Sequence, residues 1–336
     1  MKNANPTIAS TDWKAIVAKY AGADVRVSLW QLFSTLFLLF SAVYIAYWLF
    51  DYAWWASALM VIPIAGLQTR TFIFMHDCAH GSFLPWSKAN DAVGFITGVL
   101  TFTPYQAWRR EHAIHHASSG DLDHRGWGDV TTLTVAEYQA LSRWGRFKYR
   151  LYRHPIVLFG IGPLHLMVLQ RFRFLPSEAA GAKQLWNIWM TNAAMVGLAV
   201  IAYMVLDWRS VWLLYVPGFY VAGAVGIWLF YVQHQFEEAY WERSKTWDYA
   251  TAAITGSTHL KLPAVLNWFT GHIGLHHVHH LGPKIPNYKL KKAHEENPVF
   301  QEAPVITLKS ALKSLRLALW DEERGRMIGF RELRTN

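Results

Sequence analysis

The sequence predicts an all-α integral membrane protein: four transmembrane helices in two hairpins, with a cytoplasmic helical cap that carries clustered histidines. Three observations lead there. Four apolar segments are each long enough to cross a hydrocarbon core, which takes roughly 20 residues. Of the 336 residues, 53% are hydrophobic and only 16% charged, where a soluble domain carries about 25% charged residues. Eighteen tryptophans and fifteen tyrosines fit the aromatic belts that anchor a protein at the bilayer interfaces.

The polar, mixed stretch Met1–Val25 has no basic run leading into an apolar core, so it does not read as a cleaved signal peptide. Leu29–Phe50 is the first expected span and Trp54–Met75 the second, joined by little more than Asp51 and Tyr52. Two weaker apolar stretches follow. Ala92–Tyr105 is short and rich in Gly and Thr, and Pro155–Leu169 is broken by Gly160, Gly162, Pro163 and His165; both are expected at the membrane surface. Asn187–Leu206 and Val211–Val232 are the third and fourth spans, with Asp207 to Ser210 between them. With no repeat or low-complexity tract, the chain reads as one domain, residues 1–336, whose cap comprises 76–186 and 233–336.

Basic residues set the expected orientation. Eight Lys or Arg lie between Arg109 and Arg153 and many more follow Val232, whereas the hairpin turns hold only Arg209. By the positive-inside rule both termini and the long loops are expected to be cytoplasmic. The net charge of +9 accompanies no nucleic-acid motif and fits a face against anionic lipid. The single cysteine, Cys78, excludes a disulfide framework and a Cys₄ metal site.

The chemistry lies in three histidine boxes: His76-Asp-Cys-Ala-His80, His112-Ala-Ile-His115-His116 and His276-His277-Val-His279-His280. Residues three or four apart share a helix face, so each box presents two or three imidazoles toward one centre, with His277 turned away, either behind a ligand or in solvent. One HxxxH alone is commonly two polar residues at a helix end. Three boxes on one membrane face are not coincidence, and so many imidazoles exceed the needs of one ion. His234 ends the fourth span on the same side, which raises it above an ordinary interfacial histidine. His272, one turn before His276, is a candidate to orient a ligand. His124, His154, His165, His259 and His294 lack box spacing and read as structural. Asp77, Glu111, Asp123, Asp129, Glu237 and Asp248 flank the boxes and read first as surface charge.

No HExxH zinc motif occurs, and a copper site would be expected to recruit Met or Cys among its ligands. Two irons held mainly by imidazole suit oxygen activation. A site on the membrane face can receive a lipid chain, which points to oxidation of an unactivated C–H bond. A metal transporter would instead place ionisable residues near mid-span, where these spans carry few charges and no histidine pair.

Further text accompanies the boxes in order: Gly81-Ser-Phe after the first, Thr103-Pro-Tyr, Trp108-Arg-Arg-Glu before the second, Ser119-Gly-Asp-Leu-Asp, Tyr231-Val-Gln-His234, and Ile285-Pro-Asn-Tyr288. From Met75 to Tyr288 the chain resembles the membrane fatty-acid desaturases, and most the bacterial and cyanobacterial acyl-lipid Δ12 (omega-6) branch. The five-residue first box is similar to that branch and to the omega-3 one. His277 departs from it, standing where relatives often carry an apolar or small residue. The resemblance implies two Fe²⁺ ions held by His76, His80, His112, His115, His116, His234, His276, His279 and His280, with O₂ as co-substrate. It implies a cis double bond inserted into a fatty acyl lipid, with the metals as the catalytic machinery and no separate catalytic side chain. Because the chain carries no GxGxxG fingerprint, cytochrome b5-like domain or cysteine cluster, electrons are expected from a separate protein such as ferredoxin. The alternative is a hydroxylase, ketolase or other lipid oxygenase on the same scaffold. Trp108, Trp127, Trp268 and Phe269 are candidates for the walls of the acyl pocket.

Overall fold

A computed structural model of the chain describes residues 11–126, 130–168, 181–209 and 215–333. Helix α1 (Trp13–Tyr20) precedes α2 (Val25–Tyr52), the first span. It starts four residues before Leu29 because the Asp24 carboxylate caps the N–H groups of Arg26 and Val27. The second span is α3 (Trp54–Leu59) running through a bend at Met60 into α4 (Val61–His80). This helix does not stop where hydropathy falls, at Met75. His and Asp do not end a helix, and α4 continues until Gly81 adopts the left-handed conformation, φ 66°. The 27 residues from Trp54 to His80 make a rod of about 40 Å, longer than a hydrocarbon core of about 30 Å. The first histidine box is therefore the protruding end of the span itself.

Both weaker apolar stretches are helical and pack against spans. α5 (Ser87–Leu100) packs along α4. Its end reaches the level of Gln68, whose side chain and the Leu100 carbonyl are both bonded to Tyr215. α6 (Tyr105–Ser118) follows. In the cap come α7 (Val135–Ala140) and α8 (Arg143–Tyr152), then a π-helical turn, Val157–Ile161, that leads into α9 (Gly162–Val168). Tyr220 donates to the Gly160 carbonyl at 2.7 Å, and Gly162 faces Ile227, seating this segment on the fourth span.

The third and fourth spans are α10 (Ala182–Val205) and α11 (Val216–His234). They lean on different neighbours: α10 on α5 and α6, and α11 on α4. At the end remote from His80 the two hairpin turns meet. Arg209 pairs with Asp51 and with Asp207, each at 2.7 Å, so the one cation of the turns is neutralised. Trp30, Phe33, Phe37 and Trp48 of α2 and Trp186, Ile201 and Met204 of α10 are exposed, as lipid-facing side chains must be.

The cap continues with α12 (Tyr249–Thr255), α13 (Ala264–Phe269), α14 (His276–Leu281), α15 (Asn287–Glu296) and α16 (Leu308–Ser314). It also holds strands that an all-helical reading lacks. β1 (Leu133–Thr134) pairs parallel to β4 (Leu317–Asp321), which pairs antiparallel to β5 (Arg326–Gly329). β2 (His259–Lys261) pairs parallel to β3 (Val305–Thr307). Strands this short carry no readable alternation.

Candidate metal centre

Four helix ends converge on one place. α4 brings His76 and His80 on its last turn, α6 brings His112, His115 and His116, α11 ends on His234, and α14 brings His276, His279 and His280. All are buried except the half-buried His80. Their nitrogens fall into two groups, each with one ligand atom per residue and all atoms within 4.8 Å of one another. His76, His80, His112, His116 and His279 form one; His115, His234, His276 and His280 form the other.

The division follows helix phase. At 100° per residue, His112 and His116 differ by only 40°, while His115 lies off that line; the same holds for His276 and His280 against His279. Each HxxHH box therefore sends its i, i+4 pair to one group and its third histidine to the other. The boxes do not each face a single centre, as spacing alone suggested. His234 supplies the fourth nitrogen of the second group.

The distances fit metal ions. In the first group Nε2 of His279 stands 3.0 Å from that of His76 and 2.9 Å from that of His116, which lies 3.1 Å from that of His112. In the second, Nε2 of His276 stands 2.9 Å from that of His234 and 3.1 Å from that of His280, which lies 3.3 Å from that of His115. Two nitrogens in neighbouring positions about 2.1 Å from one ion lie about 3.0 Å apart. A neutral imidazole has one N–H, so a ring whose Nδ1 carries that proton cannot donate from Nε2 as well. His80 Nε2 is buried with no hydrogen-bond partner, the state of a nitrogen that awaits an ion. Burial holds the imidazoles of His112, His116, His276, His279 and His280 well below the usual histidine range, keeping them neutral as ligands must be.

Surrounding groups orient these rings. Asp77 Oδ1 lies 3.3 Å from His76 Nδ1, so this acid is more than surface charge. The Gly256 carbonyl lies 3.3 Å from His234 Nδ1. Tyr249 donates to the His280 carbonyl at 2.6 Å. Trp108 stacks on His112, centroids 4.2 Å apart, and Phe230 lies beside both His115 and His234. Trp268 and Phe269 sit farther along α4, on Arg70 and Gly66, and Trp127 and Asp129 fall outside the described residues. Asn287, whose role spacing does not reveal, is held by Asp77.

Other expectations change. Among the described residues the His272 ring makes no hydrogen bond to a box histidine. The residue occupies a left-handed turn, φ 60°, and its carbonyl accepts from Leu275 N. His277 is fully buried, not solvated; it lies 3.1 Å from His294 Nδ1 and near His259. Asp123 and Glu237 are exposed surface charge, as expected, paired with Arg243 and Arg326, and Asp248 caps α12.

Residues 52–307 match the fatty acid desaturase family model. A fatty acid desaturase of Bacillus subtilis (strain 168) is 43% identical over 319 residues, covering 95% of this chain and 90% of the relative. An sn-1 acyl-lipid omega-3 desaturase (ferredoxin) of Nostoc sp. (strain 36) is 28% identical over 80% of this chain and 76% of its own. A chloroplastic omega-6 fatty acid desaturase of Brassica napus is 27% identical over 70% of this chain and 53% of its own.

Proposed function

The chain belongs to the fatty acid desaturase family, and we propose that it inserts a cis double bond into the acyl chain of a membrane lipid, at the Δ12 (omega-6) position. The observation that carries this reading is the pair of histidine groups that converge where two helices long and apolar enough to span a membrane, ending in His80 and His234, meet the shorter helices α6 and α14. His76, His80, His112, His116 and His279 would hold one iron ion; His115, His234, His276 and His280 would hold the other. When bound, the ions would activate O₂, which would supply the oxidising equivalents for removal of two hydrogens from adjacent methylenes. The overall change takes one acyl chain, O₂, two electrons and two protons to the alkene and two waters.

The protein's own residues bind, orient and exclude water. Neutral imidazoles present lone pairs with no proton to displace. Asp77 and the Gly256 carbonyl favour a proton on Nδ1 of His76 and His234, which leaves Nε2 free. Trp108 and Phe230 wall the groups with apolar surface. No side chain is assigned as a general base.

We place the whole chain in one domain, with both termini and the metal site on the cytoplasmic side of a bacterial inner membrane. The basic cap and the neutralised Arg209 at the opposite end support that orientation. A ferredoxin is the proposed electron donor, in keeping with the name of the Nostoc relative, and a cationic face would attract so acidic a carrier.

The test is the lipid profile of a bacterial host that expresses the chain with a ferredoxin system, beside a His116→Ala control. A diunsaturated acyl chain present only with the unaltered protein supports the reading, and mass spectrometry locates its double bond. A hydroxylated chain would transfer the assignment to an oxygenase. No new lipid from iron-loaded protein would sink it.

A further inference from the structure

We propose that Arg70 is a positioning residue for the third histidine segment, which it holds through a strap of chain laid along α4. This rests on the reading that the nine histidines hold two ions. Arg70 lies six residues before His76, about 9 Å along the helix, and is 5% exposed. An ionised side chain inside a span is costly and is kept where it has a specific task. Among the described residues no carboxylate pairs with it. Its Nε donates to Thr35 Oγ1 of α2 at 3.1 Å, and its Nη1 to the carbonyl of Trp268. The guanidinium also covers the Trp268 ring, 4.3 Å from its centroid.

Residues 262–275 form the strap, and they meet α4 along a single stripe. Phe269 lies over Gly66, where an added Cβ would come within 2.7 Å of its ring. Trp268 sits on Arg70. Gly271 presses on Ile73, where a Cβ would meet Ile73 Cγ2 at 2.7 Å. Positions 66, 70 and 73 have i, i+4, i+7 spacing and share one helix face. The next position of that stripe is Asp77, which grips Asn287 beyond α14. The helix that ends in the first box thus holds the third box on both flanks.

The strap has little slack. Gly271 and His272 are successive left-handed residues, φ 54° and 60°. Gln233 of α11 donates to the Ile273 carbonyl at 2.8 Å, and Leu260 N to that of Gly274 at 2.7 Å. A shift at Trp268 reaches His276 by moving the anchors at Gly271, Ile273 and Gly274 with it. Helix α14 supplies two of the four nitrogens of the second group and one of the five of the first. Releasing the strap should empty the second group selectively.

The test is iron per chain, with the Mössbauer spectrum, on the full chain in nanodiscs loaded anaerobically with Fe²⁺. Arg70→Met is expected to retain its helical content yet bind the second ion about 10- to 100-fold more weakly, so that one ion remains per chain with a one-site spectrum. Arg70→Lys, which still donates to the Trp268 carbonyl, should recover part of that loss. Gly66→Ala pushes Phe269 off α4 without touching a charge or a box histidine, and is expected to give the same selective loss; it decides the matter if Arg70→Met does not fold. Two ions and an unchanged spectrum in both variants would overturn the proposal, as would equal loss of both ions. Fewer than two ions in the unaltered protein would instead overturn the two-ion reading.

Discussion

Asp77 and Asn287, far apart in the chain, are joined twice: Asp77 Oδ2 accepts from the backbone N–H of Asn287 at 2.9 Å and from its side-chain Nδ2 at 2.8 Å. The other oxygen faces His76 Nδ1. One carboxylate thus orients a ring of the first box and fixes the chain that leaves the third. Asp77→Asn keeps the size but loses the charge and one acceptor. With its oxygen retained by Asn287, its NH₂ faces His76 and favours the wrong tautomer. Iron affinity, read by competition with a chelator, should fall about 10- to 100-fold. An unchanged affinity would mean that the Nδ1 contact does not matter.

The division of the boxes makes a sharper prediction. His80→Ala removes a nitrogen from the five-histidine group and His280→Ala one from the four-histidine group. Each variant should lose the lipid product while keeping iron in the untouched group. The double variant should bind neither ion well. If either single change strips both ions, the groups do not act as separate sites.

Acid should destabilise the metal-free protein, partly through His277. Burial pushes its imidazole down to about 3, against about 6.5 in an unfolded chain. Between those values the unfolded state binds a proton that the folded state refuses. The stability is therefore complete above about pH 6.5 and lost as pH falls toward 3. One such site costs about 2 kcal/mol at pH 5. His277→Leu should show a smaller loss between pH 7 and pH 5 in thermal unfolding; equal losses would clear His277 of the effect.

The spans were legible because a run of some 20 apolar residues has few other destinies, and the boxes because three of them share one side. What stayed hidden is tertiary. Which nitrogen joins which group depends on how α4, α6, α11 and α14 are rotated about one another, and spacing within one helix does not contain that. The pairing of Asp77 with Asn287 and of Arg70 with Trp268 joins distant segments. The end of α4 was misplaced for a local reason: hydropathy stops at Met75, but the backbone has no cause to leave the helix before Gly81. His277 was read from its own box, whereas its burial is imposed by α15, which carries His294.

The seat of α5 against α6 can be tested with two glycines that look alike in the sequence. A Cβ on Gly98 would lie 2.6 Å from the Thr103 carbonyl oxygen. That obstacle is backbone, fixed by the Thr103 N–H bonded back to the Gly98 carbonyl at 2.7 Å, so it cannot rotate aside. Gly98→Ala should cost about 1–3 kcal/mol. It should also disturb Tyr105, whose hydroxyl donates to the Cys78 carbonyl at 3.0 Å and ties α6 to α4. Gly197, in α10, has nothing within 4 Å of a built Cβ. Gly197→Ala should therefore be neutral or gain up to about 1 kcal/mol, from the lower entropy of the unfolded chain. Unfolding of both variants in the same detergent gives the comparison. Equal effects would mean that the turn from Thr101 to Pro104 is looser than its contacts imply, and that α5 does not set the distance between the first two boxes.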